Sequence, residues 1–316
     1  MTPENAPILS VTLNPALDLS ARVEAMQAGP KLRLSDPVYE PGGGGVNVAR
    51  AIHALGGRVL AWVALGGASG DQHLALMRAQ GLDVRAFAAP GETRQNWAIT
   101  DAEGHQFRLQ LPGTDWDMPT AETAMQDIMA HAPGLVVVSG SQPPGVSDRF
   151  VQDLAAPLGP DRLVVDTSGA ALSRLVDAPR SDASLLLLRL DQAEAEALAR
   201  QPLAQPHDSA AFARGLVDRG VASMVCVARG ADGSVLAGPE GVHHCRPPHV
   251  PIVSKVGAGD SFTGAFTLAL VQGQSPAQAL QYGTAAAAAA VMTPGSALCR
   301  AADVARLLPD CALADL

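Results

Sequence analysis

The feature that most restricts the fold is a set of six short, near-continuous apolar runs. ILSVTL (8–13), RVLAWVALGG (58–67), GLVVVSG (134–140), RLVVDTSG (162–169), ASLLLLRL (183–190) and SMVCVARG (223–230) each read as a strand. Strands this apolar are buried on both faces. Helical spacing marks VNVARAIHALGG (46–57), GDQHLALMRAQG (70–81), SDRFVQDLAAPL (147–158), DQAEAEALAR (191–200) and DSAAFARGLVDRG (208–220). It returns in SFTGAFTLALVQG (261–273) and PAQALQYGTAAAAAAVM (276–292). Buried strands alternating with helices predict an α/β fold, a mostly parallel central sheet covered by helices on both faces.

Two stretches break this rhythm. ARVEAM and KLRLSDPVYE, within 21–40, and VRAFAA, RQNWAITD and HQFRLQL, within 83–111, alternate in polarity between turns. Such alternation predicts antiparallel strands. The two insertions, at about 15–42 and 84–112, are too small to fold alone and are expected to pair into a small β-sheet lid. No linker, coiled coil or repeat interrupts the plan, so residues 1–316 read as a single domain.

Composition narrows the partners. Aromatic residues are only 3% of the chain, which leaves no stacking platform for nucleic acid, and the net charge of −9 disfavours nucleic acid and anionic membranes alike. An anionic substrate must then be met by a few concentrated Lys and Arg residues. Cys226, Cys245, Cys299 and Cys311 show no CxxC spacing, and His243, His244 and Cys245 lack a fourth zinc ligand. Reduced thiols in a cytoplasmic protein are expected. The N-terminus has no basic leader and no apolar run reaches about 18 residues, so neither a signal peptide nor a membrane span is expected.

In an open α/β sheet, ligands collect beyond the carboxyl ends of the strands. The segments expected there are the glycine run 42–45, Ser139, Asp191, Arg229–Gly230 and KVGAGDS (255–261). PGGGGVNVARAIHALGG (41–57) sets four glycines against a helix; they read as a flexible linker or as bare backbone lying flat on a ligand. In KVGAGDSFTGAF (255–266), Gly257, Ala258 and Gly259 precede a helix whose free N–H groups suit an anion. Asp260 is then an N-cap or a general base beside that anion hole. Neither a P-loop nor a GxGxxG fingerprint is present.

Together, GGGGVNVARAIHALGG and KVGAGDSFTGAF resemble the two signatures of the ribokinase-like sugar kinases, the PfkB family. VTLNPALDLS (11–20), KLRLSDPVYEPGGGG (31–45), TRQNW (93–97) and SGSQPPGV (139–146) extend the resemblance, in order, towards its phosphofructokinase-2 branch. The resemblance implies a three-layer αβα sandwich with a lid, ATP and Mg²⁺ as cofactors, a sugar phosphate as substrate, and homodimerisation through the lids. It implies transfer of a phosphoryl group to the 1-hydroxyl of fructose 6-phosphate.

Roles follow from the same motifs. Asp260 becomes the base, with the backbone of Gly257, Ala258 and Gly259 as the anion hole. Asp18, Gly43, Gly44 and Asn47 close on the sugar, and Lys31, Arg33 and Arg94 suit the phosphate it already carries. Asn47 also reads as a helix-start residue, the three bases as a solvated strand face, and Ser139 as a substrate contact or a turn cap. Arg229, Gly230, Gly233 and Lys255 are placed beside the nucleotide, with adenine among small aliphatic residues near Ala285–Ala290 and Val253.

Departures from the family pattern are equally specific. Relatives carry Lys-Pro-Asn followed by Glu where this chain has Arg189–Leu190–Asp191 and Glu194; the last two are expected to face one Mg²⁺. Ala228 replaces a hydroxyl residue, and Arg229 is expected to compensate by charge. Relatives acting on fructose 1-phosphate or tagatose 6-phosphate commonly carry GGKG where this chain has GGGG. Those two activities are the alternatives, and a catalytically weak sugar-phosphate-binding regulator is a third.

Overall fold

All six apolar runs form strands, and all six lie in one sheet. The computed structural model describes residues 8–35, 37–132, 134–295 and 297–316. Strand β1 (Ile8–Thr12) leads into β2 (Ala16–Arg22) and β3 (Val38–Gly42), and α1 (Gly44–Ala54) returns to the main layer. Next come β4 (Val59–Leu65), α2 (Gly67–Ala79), β5 (Asp83–Ala88), β6 (Arg94–Thr100) and β7 (Gln106–Gln110). The chain continues through α3 (Met118–Ala130), β8 (Val136–Ser139), α4 (Phe150–Leu158), β9 (Leu163–Asp166) and α5 (Gly169–Asp177). Then follow β10 (Leu185–Asp191), α6 (Gln192–Ala199), α7 (Pro206–Asp218), β11 (Ala222–Ala228), β12 (Ser234–Gly238) and β13 (Gly241–Arg246). Helices α8 (Ala258–Val271), α9 (Pro276–Val291) and α10 (Ala301–Leu307) precede the last strand, β14 (Ala312–Asp315).

The main sheet runs β14-β13-β12-β11-β10-β9-β8-β1-β4-β5, parallel from β11 to β5 and antiparallel beyond β11. One core lies under α1, α2, α8, α9 and α10, with Ile52, Met77, Phe262, Ala285 and Val304 packed on Val63, Val137 and Leu187. The other lies under α3 to α7, with Ile128, Leu154, Leu172 and Leu216 packed on Trp62, Val138 and Leu188. This is the expected αβα sandwich.

The lid is a separate four-stranded sheet, β3-β2-β6-β7. It differs from expectation in three ways. VRAFAA is not in the lid: it forms β5, the parallel edge strand of the main sheet beside β4. Its alternation is that of a half-covered edge, with Arg85 paired to Asp127 of α3 at 2.6 Å. KLRLS (31–35) makes no strand, and pairing begins only at Val38. The centre of the lid is a parallel pair, because β2 and β6 come from different insertions and run the same way.

Strand alternation decides which side chains reach the carboxyl edge. Val137, Val164 and Leu187 all face the core under α8 and α9. Ser139, Asp166 and Arg189, each two residues further on, therefore face the same side, and Ser139 is in register with Asp166. A hydroxyl, a carboxylate and a guanidinium thus form a row beneath the N-termini of α1 and α8.

Candidate active site

The four glycines each sit where a side chain has no room. A Cβ on Gly42 would fall 2.5 Å from the carboxyl carbon of Asp18, and one on Gly44 would fall 2.6 Å from the backbone N of Gly140. On Gly45 it would meet the carbonyl carbon of Val11 at 2.7 Å. Gly43 is the N-cap of α1 at φ 119°, a left-handed value that favours glycine. The run is therefore no linker. It lets the start of α1 rest directly on the ends of β1 and β8.

Asn47, in the first turns of α1, does not cap the helix. It is 7% exposed, and its Nδ2 donates to Asp260 Oδ2 at 3.0 Å. Asp260 does not cap α8 either: Gly257 is the N-cap, in the left-handed region at φ 76°. A Cβ there would strike Leu298 as well. With Asp260 in the first turn, the N–H groups of Ala258, Gly259 and Asp260 have no acceptor inside the helix. Ser139 Oγ lies 3.5 Å from Asp260 Oδ1. Burial, reinforced by repulsion from Asp166, pushes the Asp260 carboxyl up to about 7, against the pull of Asn47 and Arg189.

Two cavities meet at this point. A polar cleft of about 170 Å³ is lined by Gly44, Ser139, Asp166, Glu194, Gly259 and Asp260. A larger, mainly apolar cavity of about 390 Å³ is lined by Ala228, Gly230, Gly233, Val250, Ile252, Lys255, Phe262, Thr284, Ala287, Ala288 and Val291. Arg189 and Gly259 belong to both walls, so the two adjoin. Ala287 and Ala288 fall within the stretch expected to meet adenine, whereas Ala285 and Ala286 are wholly buried in the core.

On the lid side, Asp18 accepts from Asn96 Nδ2 at 2.9 Å, and Arg94 Nη1 donates to Asn96 Oδ1 at 3.3 Å. Arg94 also donates to the carbonyl of Asn14 through Nε and Nη2. Burial raises the Asp18 carboxyl to about 6, opposed by Asn96 and Arg94. Lys31 and Arg33 are exposed on the irregular stretch before β3 and line neither cavity. The structure brings Asp18 and Arg94 together and leaves the other two bases apart.

Comparison with known proteins agrees with this geometry. The pattern of the pfkB family carbohydrate kinases matches residues 11–303. The chain belongs to the pfkB family of carbohydrate kinases. The ATP-dependent 6-phosphofructokinase isozyme 2 of Escherichia coli is 36% identical over 304 residues, spanning 95% of this chain and 97% of that one. A 1-phosphofructokinase of Haloferax volcanii is 31% identical over 290 residues, spanning 92% of each. The crystal structure of E. coli phosphofructokinase-2 in complex with substrates and products superposes with a TM-score of 0.87 at 33% identity, covering 96% of this chain and 99% of that one.

Within this carbohydrate kinase, two sequence expectations need correction. Arg229 does not face the nucleotide cavity. It is 5% exposed and donates to the carbonyls of Leu203 and Ala204 and to Ser209 Oγ, so its charge is spent on the loop before α7. Asp191 and Glu194 do not both line one cavity. Each gives one oxygen to a capping box at the start of α6, Asp191 Oδ1 to the N–H of Glu194 and Glu194 Oε2 to the N–H of Asp191. Asp191 then borders the apolar cavity and Glu194 the polar cleft. No group of three or more metal-ligating side chains occurs among the described residues.

The sequence reading missed Asp166, Asn96 and Arg50. Asp166 accepts from Thr263 Oγ1 at 3.0 Å and pairs with Arg189 at 3.4 Å. Its signal was a carboxylate at the carboxyl end of an apolar strand, RLVVD. Asn96 lies two residues after Arg94, on the same strand face. No described helix is long and apolar enough to cross a membrane.

Proposed function

We propose that this kinase transfers the terminal phosphoryl group of ATP to the 1-hydroxyl of fructose 6-phosphate, giving the 1,6-bisphosphate. The observation that carries the reading is the position of Asp260. It stands in the first turn of α8, beside three free N–H groups and at the junction of a polar cleft with an apolar cavity. The acceptor hydroxyl gives its proton to Asp260, while the Gly257–Gly259 backbone and helix N-terminus stabilise charge on the transferring phosphoryl group. A carboxyl near 7 suits a base that takes a proton at neutral pH and releases it afterwards. Asp18, Asn47 and the backbone of Gly43 and Gly44 hold the sugar, with Ser139 beside the reacting end. Arg94, joined by Lys31 and Arg33 as the lid closes, meets the 6-phosphate.

The adenine is assigned to the cavity of Ala287, Ala288 and Ile252, with Gly230, Gly233 and Lys255 along the phosphates. Carboxylate oxygens suit Mg²⁺ bound mainly through water and phosphates, and Glu194 and Asp166 border the cleft where it would sit. Burial, with repulsion from Asp191 and Asp166, raises the Glu194 carboxyl, an arrangement that a divalent cation would relieve. When bound, Mg²⁺ would neutralise phosphate charge.

A homodimer through the lids is part of the same reading. Tyr39, Leu19, Trp97 and Leu109 lie in one register row across the lid, and all but Leu19 are exposed. A cytoplasmic setting suits the four free, buried cysteines.

The test is direct. Purified protein with Mg-ATP and fructose 6-phosphate is expected to yield ADP and fructose 1,6-bisphosphate in equal amounts. Tight sugar-phosphate binding without ADP would make it a regulatory protein. The Haloferax relative keeps fructose 1-phosphate in play, so it and tagatose 6-phosphate complete the competition panel. A higher kcat/KM for either would reassign the substrate and leave the chemistry standing.

A further inference from the structure

A hydrogen-bonded chain runs behind Asp260, away from both cavities. Asn47 donates to Asp260 through Nδ2, and its other amide atom, Oδ1, accepts from Arg50 Nη1 at 3.1 Å. Arg50 is one helical turn further along α1. Its remaining contacts are with other elements. Nε donates to Gln80 Oε1 at 2.9 Å, Nη1 also reaches the carbonyl of Pro41 at 3.4 Å, and Nη2 lies 3.6 Å from Glu40 Oε1. The side chain is 11% exposed, so these partners and not water hold it.

An amide has two ends of opposite polarity, and a carboxyl can meet either: ionised it accepts from the N–H end, protonated it can donate to the oxygen end. The Asn47 oxygen facing Asp260 would repel the anion that the reaction needs. A guanidinium has donors only, so Arg50 can donate only to the oxygen end of Asn47, which leaves the N–H end for Asp260. We propose that Arg50 is a positioning residue that locks the amide of Asn47 in the one orientation able to support Asp260 as a base. The planar fork matters because one guanidinium serves Asn47, Pro41 and Glu40 together, and Gln80 fixes its plane.

The inference rests on Asp260 being the base, but it can be read without turnover. The charged groups around Asp260 are Asp166 on β9, Arg189 on β10 and Arg50 itself; Glu40 and Asp18, in register across β3 and β2, face Arg50 from the lid. The readout is the titration midpoint of the Asp260 carboxyl, followed by 13C NMR of aspartate-labelled protein without substrate and assigned by its loss in Asp260→Asn. In Arg50→Met the midpoint is expected to rise by about one pH unit, about a tenfold smaller ionised fraction on the acid side. Turnover of the accepted sugar phosphate would then fall about sixfold more at pH 6.5 than at pH 8.5.

Arg50→Lys separates orientation from charge. A lysine keeps the charge but has three donors for four partners and no planar fork to aim one at Asn47, so positioning predicts a midpoint that stays raised. A wild-type midpoint in either variant overturns the proposal. Should Arg50→Met fail to fold, Arg50→Lys decides alone on the same titration. If wild-type protein fails to phosphorylate any sugar phosphate while the midpoints move as stated, the activity reading falls and the positioning role stands.

Discussion

In the proposed assignment, the acceptor side of the cleft is polar and cross-braced, while the donor side is apolar and built largely from backbone and small residues. On the acceptor side Asp18 is held by Asn96, Asn96 by Arg94, and Asp260 by Asn47, which in turn is held by Arg50. On the donor side Ala228, Gly230, Gly233, Ala287 and Ala288 offer shape and little else. Of the departures from the family pattern noted in the sequence, Asp191 and Ala228 border the donor cavity alone, Arg189 borders both cavities, and Leu190 is buried in the core. Recognition by shape tolerates a changed side chain, whereas a change in a braced network is passed to its neighbours.

The largest expected effect would break the acceptor side at its centre. Asp260→Asn should lower kcat by roughly a thousandfold, with both substrates still bound, measured by steady-state kinetics and calorimetry. In the unaltered enzyme kcat/KM should rise as pH passes up through about 7, because the base acts ionised. The same group carries a stability cost. Its folded value lies above the ordinary 3.8, so the folded state loses stability as pH rises from there to about 7, and the cost persists above it. Asp260→Asn should therefore melt a few degrees higher than wild type at pH 8. A variant with wild-type turnover would remove Asp260 as the base.

Arg94→Ala comes next. It should raise KM for the phosphorylated sugar by about thirtyfold, through loss of a charge-assisted contact and of the bracing on Asn96, and leave KM for ATP unchanged. An unchanged sugar KM would end its role as the phosphate anchor. Arg229→Ala tests the donor side from behind. It leaves the Ala204 carbonyl and Ser209 Oγ without their donor, and the Leu203 carbonyl with Gln192 alone, so the protein should lose about 2 kcal/mol in chemical denaturation with KM for ATP unmoved. A raised KM for ATP without lost stability would return Arg229 to the nucleotide site. The smallest effect belongs to Asp191→Asn, where an equally good cap keeps α6 intact and KM for ATP should change by less than about threefold.

Much of this contrast was legible in the sequence. Continuous apolar runs announce buried parallel strands because no other arrangement hides both faces, and the order of helices followed from them. Alternation was a weaker guide. VRAFAA alternates since it is an edge strand, and KLRLS alternates without forming a strand; period two cannot say which sheet a strand joins, or whether it joins one. At the site, the groups that touch ligands were recognisable from motifs, whereas those that touch only the motif residues were not. Arg50 sits three residues after Asn47 and Asp166 ninety-four before Asp260, and neither spacing has meaning until the strands are laid side by side. Arg229 was misplaced for a related reason. A basic residue beside a glycine turn looks the same whether it faces phosphate or a buried loop.

The parallel pair at the heart of the lid has a consequence for how the protein is made. β2 and β6 are joined through β3, α1, β4, α2 and β5, so their ends meet only after that whole unit has assembled. A hairpin can close within a few residues, but this pair has a long loop to close before any of its hydrogen bonds form. The lid is thus expected to be completed late, as a product of the main domain and not a seed for it. A chain stalled before Arg94 would carry β2 and β3 without β6 and β7, and the far edge of β2 would stay unpaired and open to any neighbour. For this kinase, the part proposed to close over the sugar is also the part most exposed to error during birth.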